Sequence, residues 1–227
     1  MRAEGKTMGA IGKIIRRCRE ALLPLSGIEY WHERARRYGV RGVLNVNYDG
    51  SDYPEVTRRQ KNLLFPLLRE HLTGNEKSVV DFGCGPGRFS PGLAELTGAH
   101  VTGLDPVEYY VRNAPEAENV EYHVLSGNRI PVKDRSVDVL WVCLVLGGIT
   151  VHTELCSVAR EFERVLAPDG ILFCVENTSR LPGAGYWKFR SVKFYQELLP
   201  FIDLRLRARY KELREVISVL CGRRQST

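Results

Sequence analysis

Residues 79–87 read Val-Val-Asp-Phe-Gly-Cys-Gly-Pro-Gly, an apolar run that meets a carboxylate and then three alternate glycines. Glycine adopts positive φ at little cost and lets a ligand approach the backbone closely. A helix that follows at once would aim its free N–H groups at the same place. Asp105 closes the next apolar run, where α/β nucleotide folds keep a ribose-binding carboxylate. Asp81, Gly83, Cys84, Gly85, Gly87 and Asp105 therefore suit a nucleoside-bearing ligand. Two familiar phosphate loops do not fit. Arg88 breaks the Gly-x-Gly-x-x-Gly of NAD-binding folds, and no Gly-Lys-Ser/Thr follows the glycines. Asp81 as a turn cap, Asp105 as a helix N-cap and Cys84 as a small packed residue are the plainer readings of the same side chains.

The elements that must position these residues alternate along the chain. Apolar runs at 78–82, 99–104, 120–125, 137–145 and 171–175 read as strands. Helical spacing separates several of them, at 88–97, 107–113 and 153–166. Such alternation predicts a doubly wound, mostly parallel sheet covered on both faces. A helix at 192–199 precedes two strand-like runs, 201–210 and 215–221, joined by a short polar turn. They predict an antiparallel hairpin at the sheet edge and bring the sheet to seven strands. Helices at 28–38 and 54–72 precede the first strand, with Leu63, Leu64, Leu67, Leu68 and Leu72 as the core face of the second. The expected division is an N-terminal helical lid over 1–72 and an α/β core over 73–227.

Composition sets broader bounds. The chain has 227 residues, of which 44% are hydrophobic and 26% charged, which suits one globular α/β domain with an added segment. Six cysteines occur without a Cys-x-x-Cys pair, so neither a zinc site nor a disulfide framework is expected, and no metal is assigned. A reducing, cytoplasmic setting follows. Arginines interrupt residues 1–25, which excludes a signal peptide, and no apolar stretch is long enough to span a membrane. Residues 8–23 fit a short basic amphipathic helix. The net charge of +6, concentrated toward the two ends, leaves nucleic acid open as a partner, with a solvated basic face as the simpler reading. Oligomeric state is not fixed by these features.

Taken together, these motifs resemble the class I S-adenosylmethionine (SAM)-dependent methyltransferases, especially their small-molecule branch. The resemblance covers roughly residues 76–177. Asp81 to Gly87 is similar to the family's first motif, and Asp105 matches its ribose-binding acid. Asn128-Arg129-Ile130-Pro131-Val132 with Ser136-Val137-Asp138-Val139-Leu140 resembles the segment that passes the adenine, and Glu161 to Gly170 the helix and turn before the fifth strand. The resemblance implies a Rossmann-like fold and SAM as cofactor. It implies Pro106, Asn128, Arg129 and Cys143 as further cofactor-side residues, and Trp31 and Arg34 as a lid that covers SAM and pairs with its carboxylate. Two departures stand out. Ser126 replaces a common adenine-binding Asp, and Leu146-Gly147-Gly148-Ile149 replaces a common His pair. Those glycines either open room or form a turn.

The reaction that follows is in-line methyl transfer to an O, N or C atom of a small-molecule acceptor. A base is needed only when the acceptor must lose a proton. His152 is the candidate, with a surface histidine at a helix start as the alternative. Glu176 and Asn177 are placed to contact the acceptor, and Tyr186, Trp187 and Tyr195 lie where such enzymes build acceptor pockets. An RNA or protein methyltransferase and a non-catalytic SAM-binding protein are the competing readings.

Overall fold

Seven strands build a single sheet in the computed structural model, which describes residues 27–45, 47–48 and 52–225. They are β1 (Ser78–Phe82), β2 (His100–Asp105), β3 (Val120–Val124), β4 (Val137–Cys143), β5 (Leu166–Asn177), β6 (Arg205–Glu212) and β7 (Glu215–Arg223). Their order is β3-β2-β1-β4-β5-β7-β6. The first five run parallel, and β7 then pairs antiparallel with both β5 and β6. The sheet expected from the alternating pattern, closing hairpin included, is the one observed. Strand order reverses between β1 and β4, and the crevice beyond the carboxyl ends of these strands is where α/β sheets of this kind bind ligands. The basic helix expected within 8–23 lies outside the described residues.

Helices cover both faces. On one side α5 (His152–Val165) and α6 (Val192–Leu198) pack Leu155, Val158, Phe162 and Tyr195 against Val80, Phe82, Leu140 and Leu172. On the other, α2 (Tyr53–Arg69) and α3 (Ser90–Thr97) pack Leu64, Leu68 and Leu93 against Val79, Val101, Val139 and Trp141. Alternate residues of β1 and β4 thus enter opposite cores, as the two-residue strand period requires. Trp141 lies at the centre of the second core, stacked on Phe173 at 4.8 Å and flanked by Phe65 and Phe89.

Two short helices sit at the carboxyl ends of the strands. They are α1 (Gly27–Tyr38), which runs into a 3-10 turn at Gly39–Val43, and α4 (Glu108–Arg112) after β2. Ala35 of α1 packs on Val107 and Tyr110, so the N-terminal segment is anchored beside Asp105. Among the described residues, no helix is long and apolar enough to cross a membrane.

Local differences from the sequence reading have plain causes. The buried stripe of α2 is Val56, Gln60, Leu64 and Leu68 at a strict four-residue spacing, which turns Leu63 outward to 38% exposure. Strand β5 starts at Leu166 rather than at 171. Leu166 pairs with Val137 and Ile171 with Val139, so residues 167–170 bulge between them, with Asp169 at φ +61°. The expected Pro-Asp-Gly turn is thus an interruption within the strand.

Trp141→Ala should lower stability by about 3–5 kcal/mol, the usual cost of emptying a large buried aromatic site. Urea unfolding followed by circular dichroism measures it, and an unchanged midpoint would contradict the packing described.

Candidate functional site

Strand β1 delivers Asp81 and Phe82 to a turn in which Gly83, Gly85 and Gly87 all have positive φ, at +70°, +55° and +68°. Side chains would be strained there, and space is lacking as well. A Cβ at Gly83 would lie 2.4 Å from a methyl of Val145, and one at Gly85 would lie 2.9 Å from Val43 Cγ1. The turn is held by the next strand. Gly83 N and Cys84 N both donate to the Leu104 carbonyl, at 2.7 and 3.0 Å.

Asp105 completes that hold. One carboxylate oxygen accepts from Gly85 N at 2.9 Å, and the other accepts from Val107 N at 2.8 Å. The acid therefore fixes the glycine turn and the start of α4 together. Burial pushes its pKa up to about 6, against the pull of those two amides. Asp81 is buried on the α3 side and accepts from Ser90 Oγ at 2.6 Å. Burial raises it further, to about 7, with the Ser90 hydroxyl and the Arg88 charge opposing. Both oxygens of Asp105 keep lone pairs to offer. Beside it the Tyr110 hydroxyl is buried without a hydrogen-bond partner, near enough to Arg34 and Asp105 for both charges to act on it. A close-approach backbone, a buried acid and a buried unpaired hydroxyl suit a ligand carrying hydroxyl groups and positive charge. The nucleoside and sulfonium of SAM have that chemistry.

Other residues expected on the cofactor side lie on nearby elements. Pro106 follows Asp105 directly. Asn128 and Arg129 lie in the turn after β3, the strand that pairs with β2 as far as Asp105–Val124. Burial raises the pKa of Cys84 and Cys143, so both stay protonated thiols. Cys143 packs in the core with Trp141 and Val175, and Leu144 beside it lines the neighbouring cavity. Arg34 is buried. It donates from Nε to the Gly42 carbonyl at 2.6 Å, from NH2 to the Leu44 carbonyl at 2.7 Å and from NH1 to Tyr30 Oη at 3.1 Å. In this state it ties down the 3-10 turn that rests on Gly85.

That cavity, of about 210 Å³, opens next to the glycine turn and shares Val43, Leu144 and Arg88 with its surroundings. Its walls are aromatic. Trp31 of α1 meets Trp187 edge to face at 6.4 Å, and Tyr30 stacks on Tyr186 at 3.9 Å. The glycines after β4 make this possible. A Cβ at Gly147 would fall 2.3 Å from the Trp187 ring, and one at Gly148 would fall 3.1 Å from Trp31 Nε1. The space beside these glycines is taken by the two indoles rather than left open for substrate or cofactor, and both glycines lie in a short 3-10 turn at Leu146–Gly148. The opposite end is polar, with Asn45, Gln60, Asn177, Glu212 and Glu215.

Not every candidate comes to the cavity. Glu176 is fully buried and accepts from the amides of Val145, Leu146 and Gly147 at 2.9, 2.7 and 3.2 Å, so it braces the loop and faces no acceptor. Burial raises its pKa to about 7 despite those amides. Tyr195 is in the core. His152 is exposed in the first turn of α5, 3.5 Å from Cys156 Sγ and edge-on to Phe194, and is not among the cavity's lining residues. Its position gives no support to a role as base. Gln60, Arg88, Glu212 and Glu215 were not singled out from sequence as cavity residues. Gln60 carried a signal, because a polar residue interrupts an otherwise apolar four-residue stripe.

Comparison with known proteins agrees with this geometry. The family described as Methyltransferase domain matches residues 80–174. The demethylmenaquinone methyltransferase of Chlorobaculum parvum is 27% identical over 136 residues, covering 59% of this chain and 54% of that protein. The chain thus spans about half the length of the curated relatives it matches. A SAM-dependent methyltransferase from Aquifex aeolicus shares the fold with a TM-score of 0.57 at 22% identity, covering 77% of this chain and 98% of that one. A Pyrococcus horikoshii protein does so with a TM-score of 0.64 at 20% identity, covering 85% and 99%.

Asp105→Ala should weaken S-adenosylhomocysteine (SAH) binding by about tenfold or more, the effect of losing charge-assisted hydrogen bonds, with the circular dichroism spectrum unchanged. Unchanged affinity by calorimetry would contradict the assignment. A pH series tests the same acid. Its pKa is raised from the ordinary 3.8 to about 6, so its contribution to the stability of the ligand-free chain is full below 3.8 and lost as pH rises through 6. A ligand that needs the carboxylate behaves oppositely. SAH affinity should fall as pH drops through about 6 in the wild type, and a flat profile would contradict this.

Proposed function

We propose that this chain, whose residues 80–174 match the methyltransferase-domain family, transfers the methyl group of SAM to an O, N or C atom of a small-molecule acceptor held in the aromatic-walled cavity. The observation that carries this reading is the shared wall. Val43 rests on Gly85, and Leu144 precedes the Val145 that rests on Gly83, while Val43 and Leu144 both line the cavity. Cofactor turn and acceptor chamber are thus neighbours, as displacement between two bound molecules requires.

SAM, when bound, supplies an electrophilic methyl on a sulfonium that leaves as a neutral thioether. Asp105 would hold the ribose hydroxyls, the positive-φ glycines would admit the cofactor against the backbone, and Asn128 and Arg129 would border the adenine. Trp31 of α1 would border the amino-acid end, while Arg34 on the same helix holds the 3-10 turn that follows. The work left to the protein is alignment and exclusion of water. The rigidity of the loop after β4 serves this, since Glu176 grips its amides while Arg190 donates to the Leu146 and Ile149 carbonyls at 2.7 Å each. A cavity of this size favours a small molecule over RNA or a folded protein. The curated relatives' names suggest a quinol-like ring as one acceptor class.

Release of SAH from SAM, followed with a panel of hydroxylated and amino aromatic acceptors, tests the proposal. The expected result is SAH formation that rises with at least one acceptor and is lost in Asp105→Ala. SAH binding with no turnover on any of them would favour a non-catalytic SAM-binding protein.

A further inference from the structure

We propose that the cavity recognises a carboxylate on its acceptor, bound by the guanidinium of Arg88, so that the acceptor class is an aromatic carboxylic acid. Most polar groups of the cavity are already engaged. Glu212 accepts from Gln60 Nε2 at 3.0 Å, from the Tyr48 hydroxyl and from Arg59 at 3.1 Å. Glu215 accepts from Asn177 at 2.7 Å and from Asn45 at 3.1 Å. These amides are fixed in orientation, because Asn177 Oδ1 receives Ser179 N and Asn45 Oδ1 receives Asn47 N. The acids of the chamber are thus engaged by donors of the chain itself.

Donors are left over beside Gln60. Arg88 NH1 gives one hydrogen bond, at 2.8 Å to Gln60 Oε1, and that is its one hydrogen bond among the described residues. A guanidinium has five N–H groups. Gln60 cannot turn to offer more, since its amide nitrogen is committed to Glu212. Arg88 also lies over the Phe89 ring at 4.7 Å, which steadies the plane of its fork. No carboxylate is within ion-pair distance of it among the described residues. The second unspent donor is Trp187, whose Nε1–H is buried without a partner. A planar cation with free parallel donors is the group that binds carboxylate in two-point fashion. The flat faces of Trp31, Trp187 and Phe189 suit an aromatic body. An acid seated at Arg88 keeps Gln60 between itself and Glu212.

The inference rests on the reading of the neighbouring turn as the cofactor site, and the test separates the two. Calorimetry would compare 2-naphthoate with its neutral isostere 2-naphthamide, and SAH alone, on wild type, Arg88→Gln, Arg88→Lys and Trp187→Phe. Wild type should prefer naphthoate by about tenfold or more, the worth of charge-assisted hydrogen bonds. Arg88→Gln should abolish that preference and Arg88→Lys should keep part of it, with a smaller change in SAH affinity than in naphthoate affinity. Trp187→Phe should weaken naphthoate by a smaller factor. Equal affinity of wild type for the two probes would overturn the proposal whatever the variants do. So would an Arg88→Gln chain that loses SAH and keeps naphthoate, because Arg88 would then serve the cofactor's own carboxylate. Wild type that binds naphthoate selectively but no SAH would support the carboxylate site and overturn the methyl-transfer reading.

Discussion

The hold of Asp105 on two backbone amides is the constraint from which the site is built. A carboxylate at the end of β2 reaches one strand across to Gly85 N and two residues ahead to Val107 N. Through these bonds the glycine turn after β1 and the helix after β2 face each other across a fixed gap. Burying that acid is unfavourable by itself, as its raised pKa shows.

Around this point the chain separates its tasks. The residues over the glycine turn are small or aliphatic, Val43 on Gly85 and Val145 on Gly83, and set the depth of the cradle by shape. The loop that carries Val145 is braced from its amide side by Glu176 and from its carbonyl side by Arg190. The same loop, through Gly147 and Gly148, makes room for the two indoles of the chamber. A shift of this loop would therefore be felt in both halves of the site, which is why a buried glutamate far from any reacting atom matters to the geometry. Donor-acceptor balance then distinguishes the polar groups of the chamber, with Glu212 and Glu215 engaged and Arg88 and Trp187 in surplus.

Much of the fold could be read from sequence because its signals are local. Val79 to Gly87 needs no partner to announce a strand, a turn and a helix start, and Asp105 is placed by the end of its own apolar run. The hairpin was legible for the same reason, although its first strand starts at Arg205 and not at 201. What sequence could not give depends on contacts between distant segments. Glu176 at the end of a strand looked like an acceptor contact, yet three amides some thirty residues away claim it. His152 lay in the right stretch of chain but on an exposed turn of α5. Arg88 was informative in sequence only as a misfit to another motif, because its partner Gln60 is 28 residues earlier. The glycines at 147 and 148 gained a meaning only when Trp31 and Trp187, from opposite ends of the chain, were seen against them.

We place the seat of the adenosyl group at Asp105 and the positive-φ glycines. A crystal structure of this chain with SAH tests it most directly. The account requires the ribose hydroxyls within hydrogen-bonding distance of the Asp105 carboxylate, with the ligand passing over Gly83 to Gly85. A nucleoside bound elsewhere on the chain, with Asp105 still holding only its two amides, would contradict it.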